Sequence, residues 1–189
     1  MDKSVIKGFY DAFNKANVGD YFHYKRFIDW GENGKKFKDL FEFQDAAHKI
    51  ANGTGIVVTN NNLATNDARE LLIMSCRAVT LVKRLKAIYL DLVNVVQIIE
   101  GKYRTGLTED DLYYYDALFI GNLSRIHRDG KVAYSDNLLW QIEELLSSLK
   151  RKGISVSAEI NAKQPWWGWS DSFKANILRN SLHVDVTKE

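Results

Sequence analysis

Two short stretches of this 189-residue chain concentrate side chains able to grip a ligand. Tyr21-Phe-His-Tyr-Lys-Arg-Phe27 interleaves rings with cations, and Lys35, Lys36 and Lys38 follow. Rings that stack on bases beside cations that neutralise phosphates are how single-stranded nucleic acid is held, and Tyr21, Tyr24, Lys25 and Arg26 would be the contacts. The other use of such a segment is amphipathic, with rings packed on a domain and charges left in water. Asp29, Glu32, Asp39 and Glu42 dilute the positive field and favour this second use. Gln164-Pro-Trp-Trp-Gly-Trp169 is the most unusual hexapeptide. Trp166, Trp167 and Trp169 carry a large apolar area that either caps the core or anchors a protein partner.

The other reactive types are scattered. His23, His48, His127 and His183 lack HxxxH or HxxE spacing, so no metal site is expected. No GxGxxG follows a strand and no GxSxG occurs, which removes a dinucleotide fingerprint and a nucleophile elbow. Cys76 falls inside an apolar helical stripe and reads as a small core residue. Glu109-Asp-Asp111 reads as solvated loop charge and Tyr113-Tyr-Tyr115 as strand-edge packing. Arg125, His127 and Arg128 lie in a loop where they can meet an anion. No cofactor is expected.

Composition fits that plain inventory. Hydrophobic residues make up 46% and charged residues 26%, a globular balance that excludes wholesale disorder. A net charge of +2 does not argue for nucleic acid by itself. A single cysteine excludes a disulfide framework and fits a reducing compartment. Ala87–Ile99, the most apolar stretch, is too short and too polar to span a bilayer. Met1-Asp-Lys-Ser4 lacks the order of a signal peptide. These features lead to the expectation of a cytoplasmic protein without a membrane partner.

The elements that must carry these residues emerge from residue 53 onward. Gly55-Ile-Val-Val-Thr59 reads as a buried strand, followed by an Asn-rich loop to Asn66. Asp67-Ala-Arg-Glu70 resembles a capping box opening a helix to about Leu85. Lys86–Leu90 is a short strand, Asp91 caps a helix through Ile99, and the run Ala117-Leu-Phe-Ile120 fits a strand covered on both faces. Ser135 or Asp136 starts a helix with the stripe Leu138, Leu139, Ile142, Leu145, Leu146 and Leu149. Ile154, Val156, Ala158 and Ile160 alternate as a strand. Ser170 or Asp171 opens a last helix, and Leu182, Val184 and Val186 form the last strand. Five strands separated by helices predict an α/β three-layer sandwich with a predominantly parallel five-stranded sheet. Residues 1–52 read as an aromatic and basic N-terminal extension packed on a 53–189 core.

This order resembles the additional-strand P-loop NTPases, and within them the AAA+ fold of helicase loaders of the DnaC and IstB kind. The resemblance rests on Tyr115-Asp-Ala-Leu-Phe-Ile-Gly-Asn122, on Gln141–Asn161 and on Phe173-Lys-Ala-Asn-Ile-Leu-Arg179. It implies the strand order 5-1-4-3-2. It also implies nucleotide-site positions at Asn66, Asp67, Gly121, Asn122, Asn161 and Arg179. The departures are as informative as the match. A phosphate cradle needs glycines, a Lys and a Ser or Thr for magnesium, whereas Thr59-Asn-Asn-Asn-Leu-Ala-Thr-Asn-Asp67 has neither glycine nor lysine. Asn66 stands near the Lys place and Asp67 near the hydroxyl place, where a carboxylate repels phosphate. Gly121 and Asn122 replace the acidic pair after the third strand, which removes a carboxylate at that point. Asn161 is either a sensor or a turn residue, and Arg179 either a finger or a surface ion pair. The implied protein is an inactive ATPase-like scaffold of phage or mobile-element DNA replication. Its partner is then a helicase, an active ATPase or a second copy of itself. The rival readings are the nucleic-acid module above and an enzyme with an unrecognised site near Asp67, Asn122 and Asn161.

Overall fold

The computed structural model describes residues 14–22, 24–61, 65–124, 127–128, 131–132, 134–163, 166 and 168–187. Strands β1 (Gly55–Asn60), β2 (Ala87–Asp91), β3 (Ala117–Gly121), β4 (Ser155–Asn161) and β5 (Ser181–Val186) form one sheet in the order β2-β3-β4-β1-β5. Every neighbouring pair is parallel, with Leu90 opposite Ile120, Leu118 opposite Val156, Val57 opposite Ala158 and Val58 opposite Val184. This is the α/β architecture and the strand order expected from the sequence. Between β3 and β4 lies a small antiparallel pair, His127–Arg128 with Lys131–Val132.

Parallel strands need crossovers, and the crossover helices cover both faces. Helices α1 (Gly31–Phe43), α2 (Ala46–Ala51) and α3 (Asp67–Val82) lie on one face. Helices α4 (Leu92–Ile99), α6 (Asp136–Arg151) and α7 (Asp171–Leu178) lie on the other. The short α5 (Glu109–Leu112) buries Leu112 in that second layer. Alternation along each strand divides the core between them. Ile56, Val58, Tyr89 and Phe119 face the first layer, while Val57, Leu90, Leu118 and Ile120 face the second. In α6 the buried stripe is Leu139, Ile142, Leu145, Leu146 and Leu149. Each such side chain contributes about 1.5–3 kcal/mol of transfer free energy when fully buried.

The starts of α4, α6 and α7 follow local chemistry, and that of α3 departs from it. Ser135 and Ser170 accept from the amides of Leu138 and Phe173, and the Asp91 amide donates to Asn94 Oδ1. The expected capping box at Asp67 is absent. Asn66 takes the cap position without a side-chain cap bond, and Asp67 is the first helical residue. Glu70 is drawn away instead, accepting from the Trp30 indole at 2.9 Å. That bond ties α3 to the segment before α1.

Candidate functional site

The C-terminal ends of the strands bring polar residues together at one edge, where open α/β sheets place their ligands. Asn60 ends β1 and faces Asn161, the last residue of β4, while Asp91 ends β2 and faces Gly121, the last of β3. A polar cleft of about 140 Å³ opens there. It is lined by Asn60, Thr65, Asn66, Arg69, Asn122, Ser124, Glu159 and Asn161.

Its floor is a connected network. Arg69, in the first turn of α3, donates from Nε to the Tyr89 hydroxyl at 2.9 Å and from a terminal nitrogen to Asp91 at 2.6 Å. Tyr89 donates to the other Asp91 oxygen at 3.0 Å, and Asn122 Nδ2 donates to that same oxygen at 2.8 Å. Burial opposes the Arg69 charge, but Tyr89, Asp91 and Glu159 outweigh it and raise its pKa. Burial, aided by Asp91, pushes the Tyr89 hydroxyl far up, so it stays protonated. Asn122 holds a left-handed backbone with φ +58°, a conformation that Asn tolerates. Its amide donates to Glu159 Oε2 at 2.6 Å, and the Glu159 backbone carbonyl accepts from Leu123. Glu159 is 6% exposed. It reaches the edge from inside β4, on the face that also carries Ser155 and Ser157.

Gly121 explains the shape of this floor. A Cβ there would sit 2.0 Å from the Tyr89 hydroxyl and 2.8 Å from an Asp91 oxygen. The phenol therefore occupies the space a side chain at position 121 would need. Gly121 and Asn122 bring no carboxylate of their own to this end of β3. Asp91 and Glu159 converge on Asn122 from the two flanking strands.

Of the residues expected from sequence, Asn66, Asn122 and Asn161 line the cleft, and Gly121 lies beneath it. Asn161 also behaves as a turn residue, its Oδ1 accepting from Lys163 N and its own amide donating to Ser124 Oγ. Asp67 is in the first turn of α3 but does not line the cleft. Arg179 does not share it either. It precedes β5, whose first residue pairs with Gly55 at the opposite end of the sheet, and its carbonyl accepts from Lys150. Arg69, Tyr89 and Glu159 escaped sequence reading. Arg69 lay within the supposed capping box, and Glu159 lay on the polar half of a strand read by its apolar half.

Trp169 braces the turn after β3. Trp169 is 7% exposed, donates its indole N–H to the Leu123 carbonyl at 3.0 Å and packs on Phe173 with centroids 5.0 Å apart. Its surface is spent inside the fold, which corrects its expected role as a partner contact. Trp166 packs half-buried against the same core, and Trp167 lies outside the described residues. In the N-terminal segment the rings divide. Phe22 and Phe27 pack on the first layer, while Tyr21 and Tyr24 are 58% and 79% exposed. Lys25 Nζ lies 4.7 Å from the Tyr21 ring centre, and Arg26 is exposed with its amide donating to Asp29. His127 and Arg128 belong to the small antiparallel pair, and Arg125 lies outside the described residues. Cys76 is buried and burial raises its pKa, which suits core rather than nucleophile. Among the described residues no group of three His, Cys, Asp or Glu side chains is placed to hold a metal ion. Nor, among them, is any helix long and apolar enough to cross a membrane.

Comparison with known proteins places the fold but no family. No protein-family model matches the sequence, and no curated protein matches it closely enough to count as a relative. Among solved structures, AMPPCP-bound DnaA from Aquifex aeolicus shares the fold with a TM-score of 0.53 at 13% identity. The match covers 84% of this chain and 48% of that one, so the chain spans about half of the DnaA structure. The protein shares the α/β fold of that structure, built on an all-parallel five-stranded sheet.

Proposed function

We propose that the protein is a catalytically inactive, helicase-loader-like relative of AAA+ ATPases, of the DnaC and IstB kind. It acts as a protein-binding or scaffolding subunit in phage or mobile-element DNA replication, in the cytoplasm. The fold likeness to AMPPCP-bound DnaA supports the replication setting. The observation that carries the inactivity is the Tyr89 hydroxyl lying where a side chain at position 121 would project. Magnesium triphosphate does not fit the remaining donors. The cradle loop offers no glycine or lysine, the charge of Arg69 is matched by Asp91, and Glu159 repels phosphate. The cleft of about 140 Å³ is below the roughly 300 Å³ of ordinary ligand sites. Purified protein is expected to show no ATP turnover above background. Turnover lost on Asp67→Ala would sink the reading. The partner is a helicase, an active ATPase or a second copy, and size-exclusion chromatography with light scattering tests the last.

A second reading has its own observation. Tyr21 and Tyr24 are exposed beside Lys25 and Arg26, as a stacking surface for single-stranded nucleic acid requires. It calls for oligonucleotide binding that weakens steeply with salt and is lost in Tyr21→Ala/Tyr24→Ala. Absence of binding at low salt removes it.

A further inference from the structure

We infer, independently of the partner-binding reading above, that a second pocket on the outer side of β2 binds a small zwitterion, an α-amino acid with an aromatic side chain. This pocket lies toward the N-terminal ends of β2 and β3, away from the cleft. Its volume is about 380 Å³, within the range of small-molecule sites. Asp111 and Tyr115, which the sequence alone presents as loop charge and strand-edge packing, here line one space.

The apolar wall comes from Ile88, Tyr103, Leu107 and Tyr115, all part of the second-layer core or packed against it. Tyr103 is 9% exposed, yet its hydroxyl makes no hydrogen bond among the described residues. Neither does the hydroxyl of Tyr115. Buried polar groups are normally paired, so two phenols without protein partners on one pocket point to a ligand that pairs with them. Burial, with Asp111 and Tyr103 nearby, raises the Tyr115 hydroxyl above its usual range and keeps it a donor.

Lys15 and Asp111 are the charged members of the lining. Lys15 is exposed and has no ion pair among the described residues. Asp111 Oδ2 accepts from the Thr108 hydroxyl at 2.7 Å and the Thr108 amide at 2.8 Å, which hold its carboxyl below the usual range. Among the described residues nothing donates to Asp111 Oδ1. Opposite charges thus share the pocket without pairing with each other. An α-amino acid answers both, its ammonium on Asp111 and its carboxylate on Lys15, with its ring against the tyrosines. A nucleotide would bring its negative charge to Asp111, and a simple cation would meet Lys15. The walls are fixed in advance, which lowers the ordering cost of binding. Beside Lys15, the Ala16 carbonyl accepts from Tyr89 N at 2.9 Å and Asn17 Nδ2 donates to the Tyr89 carbonyl at 2.8 Å. Across the pocket, the Gly106 amide donates to the Tyr103 carbonyl at 2.9 Å.

The test is calorimetric titration of L-phenylalanine into the full-length protein, with the ¹⁵N amide shifts of Asn14, Asn17 and Gly106 locating the site. Saturable binding is expected. N-acetyl-L-phenylalanine lacks the ammonium and L-phenylalanine amide lacks the carboxylate, and each should bind about tenfold more weakly. In Lys15→Gln the amide should bind as well as phenylalanine, while the N-acetyl compound still lags. Asp111→Asn should instead erase the preference over the N-acetyl compound. Because Asp111 also ties down the start of α5, the Lys15 variant, altered at an exposed side chain, decides if Asp111→Asn fails to fold. Lack of saturable binding, equal affinity for the three compounds, or shifts centred away from those amides would overturn the inference. So would a Lys15→Gln protein that discriminates against the amide as strongly as the wild type.

Discussion

At Gly121 a single missing methyl group decides what the sheet edge can hold. The Tyr89 hydroxyl is fixed from two sides, accepting from Arg69 and donating to Asp91. It has no freedom to yield to a Cβ that would come within 2.0 Å. Gly121→Ala should therefore cost about 1–3 kcal/mol of stability by overpacking. In Tyr89→Phe the hydroxyl is gone and the next ring atom would lie 2.9 Å from the added carbon, so the clash is relieved in part. Urea unfolding of both single variants and the double variant should show a cost smaller than the sum by about 0.5 kcal/mol or more. Strict additivity would show that another group fills the space. Lys150 gives a prediction of pH dependence. Its Nζ donates to the Ile177 and Arg179 carbonyls at 2.8 and 2.6 Å. Burial, with the Arg179 charge beside it, lowers its pKa from 10.5 to about 8. Between those values the unfolded chain keeps a proton that the folded chain has shed. The contribution of this lysine to stability must therefore rise with pH across the window from about 8 to 10.5. The unfolding free energy of the wild type minus that of Lys150→Gln should grow with pH there. A difference that stays flat rules the shift out.

Elements differed in how openly the sequence displayed them. Strands β1 to β5 and helices α3, α4, α6 and α7 were legible because their apolar residues repeat at the period of the structure they form. The stripe of α6 and the alternation of Ile154, Val156, Ala158 and Ile160 are the clearest cases. Helices α1 and α2 were not, since Gly31 and Gly34 break the propensity of α1 and Asp45 enters α2 from a left-handed backbone, φ +50°. Tertiary contacts hold them: Phe37 and Ile50 are fully buried, and Phe27 stacks on Phe37 and Phe41. The site was legible by halves. Asn66, Asn122 and Asn161 sit at strand and loop ends that any parallel sheet gathers, so chain order sufficed to find them. Glu159 and Arg69 required knowing which face of β4 points toward α3 and how far a helix side chain reaches across to Asp91. That knowledge belongs to packing rather than to periodicity.

For the whole molecule the decisive relation is between residues 14–52 and the sheet they cover. The Ala16 carbonyl accepts from Tyr89 N, and Asn17 Nδ2 donates to the Tyr89 carbonyl, closing the outer edge of β2. Across the sheet, Asn33 exchanges bonds with both backbone groups of Thr187, and Lys36 Nζ donates to the Asp185 carbonyl, so α1 is strapped to β5. Between these straps Phe37, Leu40 and Ile50 share a core with Ile56, Val58, Val184 and Val186. Removing the three large side chains alone forfeits about 1.5–3 kcal/mol each. The total approaches the roughly 5–15 kcal/mol that stabilises a whole domain. A fragment of residues 53–189 should therefore lack a cooperative unfolding transition and bind a hydrophobic dye such as ANS, whereas the full chain unfolds in one step. If instead the fragment melted cooperatively, residues 1–52 would be a removable extension, and the two straps would stabilise the sheet without being needed to form it.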